Sequence, residues 1–474
     1  MPRELSNYPL PAGAVPDAYA SLGERTVFSL RERWGLLTLF ALIVIFRLPN
    51  AWVHGRFVDE EATVFLAYAW HHPWPEALLR PFAGYLNLGA TATTVLAVGL
   101  VRTGVFSLEN APYLTMGIAL VFQLLPAVLV LTASAPWLQN RAAVVTALLI
   151  IGTAPATEEV FFNVLHIQFH LALCAALILS FDVPARRAAR IGYLALLFVA
   201  PLCGPGAIII LPLFVLRALI DRDLTRLPQL AALAAGAALQ LLLFYGSSPL
   251  RGQVAGPATV LAAMFVRLIA LPLTGIGFAN HVGQIAFASQ SAGGLLYRAL
   301  AAVTVILFAV LIAVAAKRKD GAIWLGLAAL ALASASLGVG IVLVGPGDLF
   351  KVLRGERYNF LPLVLMGLFL IAMVGRSAGW GRLLFGMPLC LALVSGTIWY
   401  FRPSPEYSEG PSWPAEVRAW RADHDHPLAV WPRPWAADLS DSTRPCSTPV
   451  PGRSRLTDPR YCESGWVAGF FRPM

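Results

Sequence analysis

Long apolar runs separated by short polar segments occupy most of the chain between residues 35 and 400. A membrane-spanning helix needs about 20 predominantly apolar residues, and fewer where the bilayer thins or flanking side chains snorkel. Many of the runs approach that length, so the pattern predicts an all-α polytopic membrane protein. The runs lie at 35–52, 82–101, 113–135, 142–155, 164–181, 191–217, 228–245, 258–279, 295–316, 322–344, 358–375 and 382–400.

The amino-acid composition supports this class. Of 474 residues, 58% are hydrophobic and only 13% are charged, whereas a typical soluble domain is about 25% charged. A large soluble enzyme is excluded, because too few charged residues remain to cover its surface. The net charge of +9 comes from basic residues between the apolar runs, where they orient helices in a membrane, so nucleic acid is not an expected partner.

Basic loops predict the orientation of the bundle, because cytoplasmic loops are enriched in Lys and Arg. Segment 1–34 carries Arg31 and Arg33 immediately before the first apolar run and is expected in the cytoplasm. All basic clusters share that side when the transmembrane domain, 35–401, has about eleven crossings, within a range of about ten to thirteen. The clusters lie at 186–190, 217–226, 317–319 and 376–382.

This count requires the runs 82–101 and 258–279 to lie along the outer surface instead of crossing the membrane. They then belong to two long outer loops, 53–112 and 246–294. The expected location is the cytoplasmic (inner) membrane, with the N-terminus inside and the C-terminus outside the cytoplasm.

Run 191–217 has basic residues at both ends, although a single crossing would place its ends on opposite sides. Its centre reads Pro201-Leu202-Cys203-Gly204-Pro205-Gly206, which interrupts a helix. We therefore expect a short hairpin with its tip inside the protein, since broken backbone at membrane depth must be buried or line a cavity.

The composition changes after residue 401, and segment 402–474 contains no run long enough to span a membrane. Its five Trp residues predict a compact, partly buried extracytoplasmic domain, because disordered tails contain few aromatic residues. A disulfide between Cys446 and Cys462 is plausible outside the cytoplasm.

Three consecutive acids, Asp59, Glu60 and Glu61, follow the first apolar run. One interpretation is a helix N-terminus, where acids meet the positive end of the helix dipole. The other is a catalytic site at the membrane surface, where partial burial raises the pKa of a carboxylate toward that of a general base. The sequence leaves both open.

A second polar group contains Glu158 and Glu159, followed by His166 and His170. The two His residues are four apart and would share one face of a helix. Polar groups at membrane depth usually face an interior cavity, so these four residues are candidates for substrate binding. Glu159, His166 and His170 are also weak candidates for a divalent metal site, and packing roles for the His residues remain open.

A third group contains Lys351, Arg354, Arg357 and Tyr358. The basic residues recur every three positions, so one helical turn would present them together. Guanidinium groups bind phosphate oxygens in a bidentate manner, which predicts a site for the phosphate of a lipid-linked substrate; lipid headgroups are the alternative. Arg267, inside an apolar run, is a weaker candidate for the same role.

The first outer loop with Asp59-Glu60, the surface helices and the extracytoplasmic C-terminus together resemble the GT-C superfamily of integral-membrane glycosyltransferases. Asp59-Glu60 looks like the acidic pair of the protein mannosyltransferase branch, and Arg357-Tyr358 followed by Pro362 is similar to the late loop near the donor phosphate. The resemblance implies Asp59 as the catalytic base, with Glu60 next in line, and no obligatory cofactor, although a divalent metal is possible.

The resemblance implies a polyprenyl-phosphate-linked sugar as donor, with a glycan, lipid or protein as acceptor and membrane lipids around the bundle. Asp59 would deprotonate the acceptor, the reaction would invert the anomeric carbon, and the Arg cluster would stabilise the departing phosphate. The alternatives are a transporter or flippase with the acids in a proton relay, and a non-catalytic assembly subunit. The enzyme interpretation requires Asp59, Glu158 or Glu159, and Arg357 to converge on one site.

Overall fold

The computed structural model describes residues 27–245, 254–317, 321–340 and 346–440. The predicted Cys446–Cys462 pair lies outside these ranges, as do most of segment 1–34 and the distal part of segment 402–474. The described chain is built almost entirely of helices and has two hairpins of two-residue strands, Pro81–Phe82 with Tyr85–Leu86 and Leu428–Ala429 with Ala436–Ala437. The all-α prediction is therefore confirmed at the level of class.

Helices follow the predicted apolar runs, with bounds set by local signals. The first helix begins at Leu30, five residues before the apolar run, because Ser29 and Glu32 form a reciprocal capping box. The α-helices of the first half are Leu30–Arg47, Pro49–His54, Ala67–His71, Trp74–Leu78, Leu88–Arg102, Ala111–Thr132, Arg141–Thr153, Ile167–Ser180, Arg187–Cys203, Gly206–Ile209, Leu211–Asp221 and Leu227–Tyr245.

The second half contains fewer and longer helices, with π-helical turns continuing two of them at Phe265–Ala270 and Ser336–Gly340. A further π-helical turn, Glu61–Leu66, directly follows the three acids. The α-helices of this half are Pro257–Met264, Leu271–Thr274, Ile276–Ser291, Leu296–Ala316, Ala322–Ala335, Arg357–Gly375, Trp380–Tyr400, Pro405–Ser408 and Trp413–Ala422.

Within the described ranges, seven helices are long and apolar enough to cross a membrane, or eight if one bent pair is a single span. These helices make the chain a multi-pass membrane protein, but they do not establish the expected number of about eleven. Three shorter apolar helices, Leu88–Arg102, Arg141–Thr153 and Ile167–Ser180, stand apart from this set.

The two runs that were expected on the surface differ from each other. Pro257–Thr274 has the length and composition of a membrane span, so its expected surface position gains no support. The other run becomes the hairpin 81–86 and the shorter helix Leu88–Arg102. Asn87 divides the two, because its side chain accepts the N–H of Ala90 and caps the helix.

The predicted break in run 191–217 is confirmed. Arg187–Cys203 and Gly206–Asp221 meet at an angle of 112°. Gly204 lies against Gln168, where an added Cβ atom would collide with the Gln side chain. The backbone therefore turns at a position that only glycine fits.

Ile167–Ser180 and Arg357–Gly375 form the centre of the bundle, and nearly every side chain on both helices is buried. Their sequences are apolar on all faces, as expected for helices surrounded by others. Glu159 precedes the first of these helices and Glu356 precedes the second, so the polar groups at these helix starts lie at the end of the core.

A second hydrophobic cluster lies apart from the bundle core. It joins the first loop, through Phe57 and Leu108, to the C-terminal segment, through Trp413, Trp420 and Val430. The described part of that segment, 402–440, is therefore packed against the loop that carries Asp59.

Candidate functional site

The predicted acids and Arg357 come together at one end of the bundle, where four segments of the chain meet. Arg56 joins three of the segments, because its guanidinium donates to the carbonyl of Tyr407 at 2.8 Å and to the carbonyl of Phe161. Glu61 is fully buried and accepts backbone N–H groups from its own turn and from Val164. The four segments are 55–61, 156–166, 351–359 and 404–407.

Glu159 and Arg357 form the ion pair at the centre of this site. One Glu159 oxygen accepts the backbone N–H of Arg357 at 2.9 Å, and the other accepts its guanidinium. Burial alone would raise the pKa of Glu159, but the charge and the hydrogen bonds of Arg357 lower it, and the net pKa lies below the usual value. Glu159 is therefore ionised. Its carboxylate lies at the N-terminus of the helix Arg357–Gly375, where a negative charge interacts favourably with the helix dipole.

Glu158 has different partners from its neighbour. Its carboxylate pairs with the buried guanidinium of Arg47 at 2.7 Å and accepts the indole N–H of Trp399 at 2.8 Å. Arg47 also donates to the carbonyls of Gly152 and Ala154 at 2.6 and 2.8 Å. The pair thus closes the turn between two core helices, and both Glu158 oxygens are occupied.

Glu356 is a fully buried carboxyl that the sequence-based analysis missed. Neither of its oxygens accepts a hydrogen bond in the part of the chain that the structure describes, and its protonated carboxyl can donate only to the neighbouring carboxylate of Glu158. Burial, followed by the nearby carboxylates Glu158, Glu159 and Glu406, raises the pKa of Glu356 well above its usual range. Glu356 is therefore a neutral acid beside an ionised one.

Asp59 lies in a strained turn with its carboxylate unengaged. Its backbone has φ +42°, in the left-handed region that non-glycine residues rarely adopt. Its N–H donates to the carbonyl of Trp431 at 2.7 Å, while its carboxylate accepts no hydrogen bond from the described residues. The residue is only 6% exposed.

The electrostatic surroundings of Asp59 suit a base. Burial, then Glu60 and Glu159, raise the pKa of Asp59 well above the ordinary value, while Arg357 opposes the shift. Glu60 is half-buried and immediately precedes the π-helical turn. Asp59 is thus within electrostatic reach of the Glu159–Arg357 pair, which brings together the residues that the enzyme interpretation requires.

Backbone strain concentrates around this site. Within the described ranges, five non-glycine residues have positive φ, and Asp59, Ala156 and Phe162 are three of them. Each such residue costs about 1–3 kcal/mol, and these conformations cluster at functional sites because the surroundings must enforce them. The two strained residues 156 and 162 enclose the short 3-10 turn Glu158–Val160.

The predicted shared helical face of His166 and His170 is wrong. The helix begins only at Ile167, because residues 158–166 fold back on themselves through Asn163, whose side chain donates to the carbonyls of Glu159 and Phe161. His166 Nδ1 lies 2.8 Å from the carbonyl of Glu159. Burial lowers the pKa of His166 to about 3, so the ring is neutral.

His170 lies deeper in the bundle, with Nε2 3.2 Å from the carbonyl of Val160. In the ranges that the structure covers, no three His, Cys, Asp or Glu side chains are grouped so as to hold a metal ion. The hypothesis of a divalent metal at Glu159, His166 and His170 stays a prediction.

The predicted single helical turn for Lys351, Arg354 and Arg357 is also wrong. Pro346–Phe350 is a 3-10 helix, turns follow, and the α-helix begins only at Arg357. Lys351 pairs with Asp348 at 3.0 Å, and Arg354 is 61% exposed with its guanidinium 3.9 Å from Glu406.

Of the three basic side chains, only Arg357 belongs to the central ion pair. Its guanidinium lies 5.1 Å from the ring of Tyr358. Arg354 lies at the edge of the same site with a weakly engaged guanidinium. Phosphate binding by Lys351, Arg354, Arg357 and Tyr358 stays a prediction.

Arg267 is buried and holds the loop 348–354, which carries Lys351 and Arg354, in place. Its guanidinium donates to the carbonyls of Leu349, Lys351 and Arg354 at 2.8, 2.5 and 2.8 Å. It also donates to the carbonyl of Asp348 and to the Asn359 side chain. These partners use its donors, so the geometry assigns Arg267 to the support of this loop.

Three supporting residues were missed, namely Arg47, Arg56 and Glu356. A usable signal existed for Arg47, because a charged residue within an apolar run usually faces the bundle interior and has a partner. Glu356 gave no such signal, since it lies in a polar loop where an exposed carboxylate is the ordinary expectation.

Comparison of the chain with protein-family models, with curated proteins and with solved structures finds no match.

Proposed function

We propose that this chain is a membrane glycosyltransferase with a GT-C-like bundle, which transfers a sugar from a polyprenyl-phosphate-linked donor to an acceptor at the outer face of the membrane. The observation that carries the proposal is the state of Asp59. The Asp59 carboxylate has no hydrogen-bond partner among the described residues, lies on strained backbone in a residue that is 6% exposed, and is within electrostatic reach of the Glu159–Arg357 pair. A structural acid would instead have its oxygens occupied, as Glu158 does.

The chemical step follows from this arrangement. Asp59 accepts the proton of an acceptor hydroxyl or amine, whose oxygen or nitrogen then bonds to the anomeric carbon of the donor. The bond from that carbon to the phosphate oxygen breaks, and the phosphate leaves with the electron pair. Attack from the face opposite the phosphate inverts the anomeric configuration.

The basic residues would stabilise the departing phosphate. Arg354 is suited to this role, because its guanidinium is exposed and its only ion-pair partner among the described residues is 3.9 Å away. Arg357 is held by Glu159 and contributes positive charge from a fixed position. A fixed charge of this kind stabilises the transition state without reorganisation during the reaction.

The test is to incubate the purified protein in lipid nanodiscs with a panel of defined polyprenyl-phosphate sugars and a mixture of acceptors. For the sugar that is consumed, Asp59→Asn should reduce transfer by about 10²- to 10⁴-fold, because one positioned base is removed. Donor binding should remain. The control is Asp425→Asn, which changes an exposed acid elsewhere, and unchanged turnover in Asp59→Asn would contradict the assignment of the base.

A proton-coupled transporter of a lipid-linked substrate is the second candidate, because Glu356 is a buried neutral acid next to Glu158. Protonated carboxyls inside membrane proteins are typical of proton relays. In proteoliposomes that contain a pH-sensitive dye, a transporter would move protons when substrate is supplied on one side. A glycosyltransferase would release polyprenyl phosphate without such movement, and a non-catalytic assembly subunit would do neither.

A further inference from the structure

The C-terminal segment 402–440 contacts the Asp59 turn directly. The N–H of Asp59 donates to the carbonyl of Trp431 at 2.7 Å, and the N–H of Trp431 donates to the carbonyl of Phe57 at 3.0 Å. Val58 and Trp431 thereby form an isolated parallel β-bridge. Two hydrogen bonds thus hold the backbone immediately before and at the strained residue.

Trp431 is itself locked in place. Its ring is buried, and its indole N–H donates to the carbonyl of Pro411 at 2.7 Å. Gly410 passes so close that an added Cβ atom would lie 2.5 Å from the ring. The guanidinium of Arg56 lies 5.7 Å from the ring centre. The ring is therefore confined by its neighbours, and a side chain at position 410 would force it to move.

The segment is also anchored at two residues that precede Trp431 in the chain. Trp413 donates its indole N–H to the carbonyl of Leu108 at 2.8 Å and packs edge-on against Phe57. Arg421 pairs with Glu109 at 3.0 Å. These contacts connect the segment to the far end of the first loop, so it crosses over the whole loop that carries Asp59.

The same segment also reaches the basic side of the site. Its Tyr407 carbonyl accepts from Arg56 at 2.8 Å, and Glu406 lies 3.9 Å from the guanidinium of Arg354. One continuous stretch therefore contacts both the candidate base and the candidate phosphate ligand.

We infer that the C-terminal segment completes the active site, and that Trp431 is a positioning residue that holds Asp59 in the left-handed conformation required for its carboxylate to face the acceptor. The assignment of an active site rests on the proposed function, whereas the positioning of Asp59 by Trp431 does not depend on it. Strained conformations persist only where the surroundings over-determine them, and the two hydrogen bonds to Trp431 supply that constraint.

The experiment compares Gly410→Val, Trp431→Ala and Trp431→Phe with Gly99→Ala, a glycine that has no neighbouring atom within 4 Å. Displacing or removing the ring should lower kcat by about a hundred-fold, the typical effect of misplacing a catalytic group by about 1 Å. KM for the donor should change by less than about two-fold, because Trp431 does not contact the basic side. Trp431→Phe keeps an aromatic ring but loses the indole N–H bond to Pro411, so it should lose less activity than Trp431→Ala.

A second readout does not depend on transferase activity. Labelling of Asp59 by a carbodiimide, followed by mass spectrometry across a pH series, reports how readily its carboxyl ionises. Its environment contains Glu60, Glu159, Arg357 and Glu406, all retained in the variants. Exposure of Asp59 to water should lower its labelling midpoint in Gly410→Val and Trp431→Ala, less in Trp431→Phe, and not in Gly99→Ala.

The two proposals fail separately. A shifted midpoint without sugar transfer by any variant or by the parent would sustain the positioning role and remove the glycosyltransferase assignment. An unshifted midpoint in a folded Trp431→Ala protein overturns the positioning role, whatever the activity. If the Ala variant does not fold, Gly410→Ala provides a milder displacement of the same ring, and the same comparison of midpoints decides.

Discussion

Arg267 and Asp59 are both buried ionisable residues at the same end of the molecule, yet their surroundings are opposite. Arg267 donates to four backbone carbonyls and to the side chain of Asn359. Asp59 lies on strained backbone, and its carboxylate accepts no hydrogen bond from the described residues. A buried polar group with all of its hydrogen bonds made stabilises a fold, whereas one left without a partner costs stability and is retained for another reason.

The comparison also explains why two arginines predicted for one role differ. Arg267 was expected to be a weak phosphate ligand, but its hydrogen bonds hold the loop 348–354 in place. Arg354, at the end of that loop, keeps its guanidinium exposed. One arginine therefore builds the loop, and the other is presented by it.

The largest effect is expected on stability, when Arg267 loses its hydrogen bonds. Arg267→Lys should lower the free energy of unfolding by on the order of 3 kcal/mol or more, because an ammonium group cannot reach carbonyls that a planar guanidinium spans. Thermal unfolding in detergent measures the change, and Arg298→Lys on an exposed helix surface is the control. A stable Arg267→Lys protein with impaired donor binding would instead make Arg267 a substrate ligand.

An intermediate effect is expected at Arg354. Arg354→Gln should raise KM for the donor by roughly ten-fold, about 1.4 kcal/mol, while the melting temperature stays unchanged. The physical reason is that an exposed guanidinium with a distant partner contributes little to folding. Lys351→Gln, which removes a charge already paired with Asp348, is the comparison. An equal effect from both variants would point to general attraction of anionic lipid.

The smallest effect is expected at Glu356. Because its pKa is raised well above the usual range by burial and neighbouring carboxylates, it is protonated at neutral pH, and Glu356→Gln replaces one neutral group by another. The unfolding temperature should change little.

Glu159→Gln, in contrast, removes the ionised partner of Arg357 and should destabilise the protein by several kcal/mol, of the order seen when a buried pair loses one member.

The protonation of Glu356 has a definite sign in its pH dependence. A carboxyl whose pKa is raised in the folded state is bound to a proton at neutral pH and stabilises the fold less as the pH rises toward that pKa. Raising the pH should therefore destabilise the parent protein relative to Glu356→Gln. The loss accrues between the ordinary pKa of a glutamic acid and the raised one, so parallel stability curves for the two proteins between about pH 5 and pH 7 would contradict the assignment of a neutral Glu356.

Much of the helical framework could be predicted from the apolar runs, since burial and membrane insertion depend on composition and period. The break at Gly204 was also predictable, because Pro and Gly interrupt a helix through their own covalent structure. The spacing rules failed at His166 and at Lys351–Arg357. Both segments are loops: the first is bent by the local hydrogen bonds of Asn163, and the second is held by the long-range partner Arg267. Side-chain spacing predicts a shared face only where the backbone is helical.

The candidate site, too, could be predicted from the sequence only in part. The sequence by itself determined that the chain is a multi-pass helical membrane protein and which scarce charged residues deserved attention, because hydrophobicity and charge are properties of each residue. Only the tertiary structure decided which charges pair, which remain unpartnered, and that the C-terminal segment lies over Asp59. These depend on distances between segments more than a hundred residues apart, which no local pattern in the chain encodes.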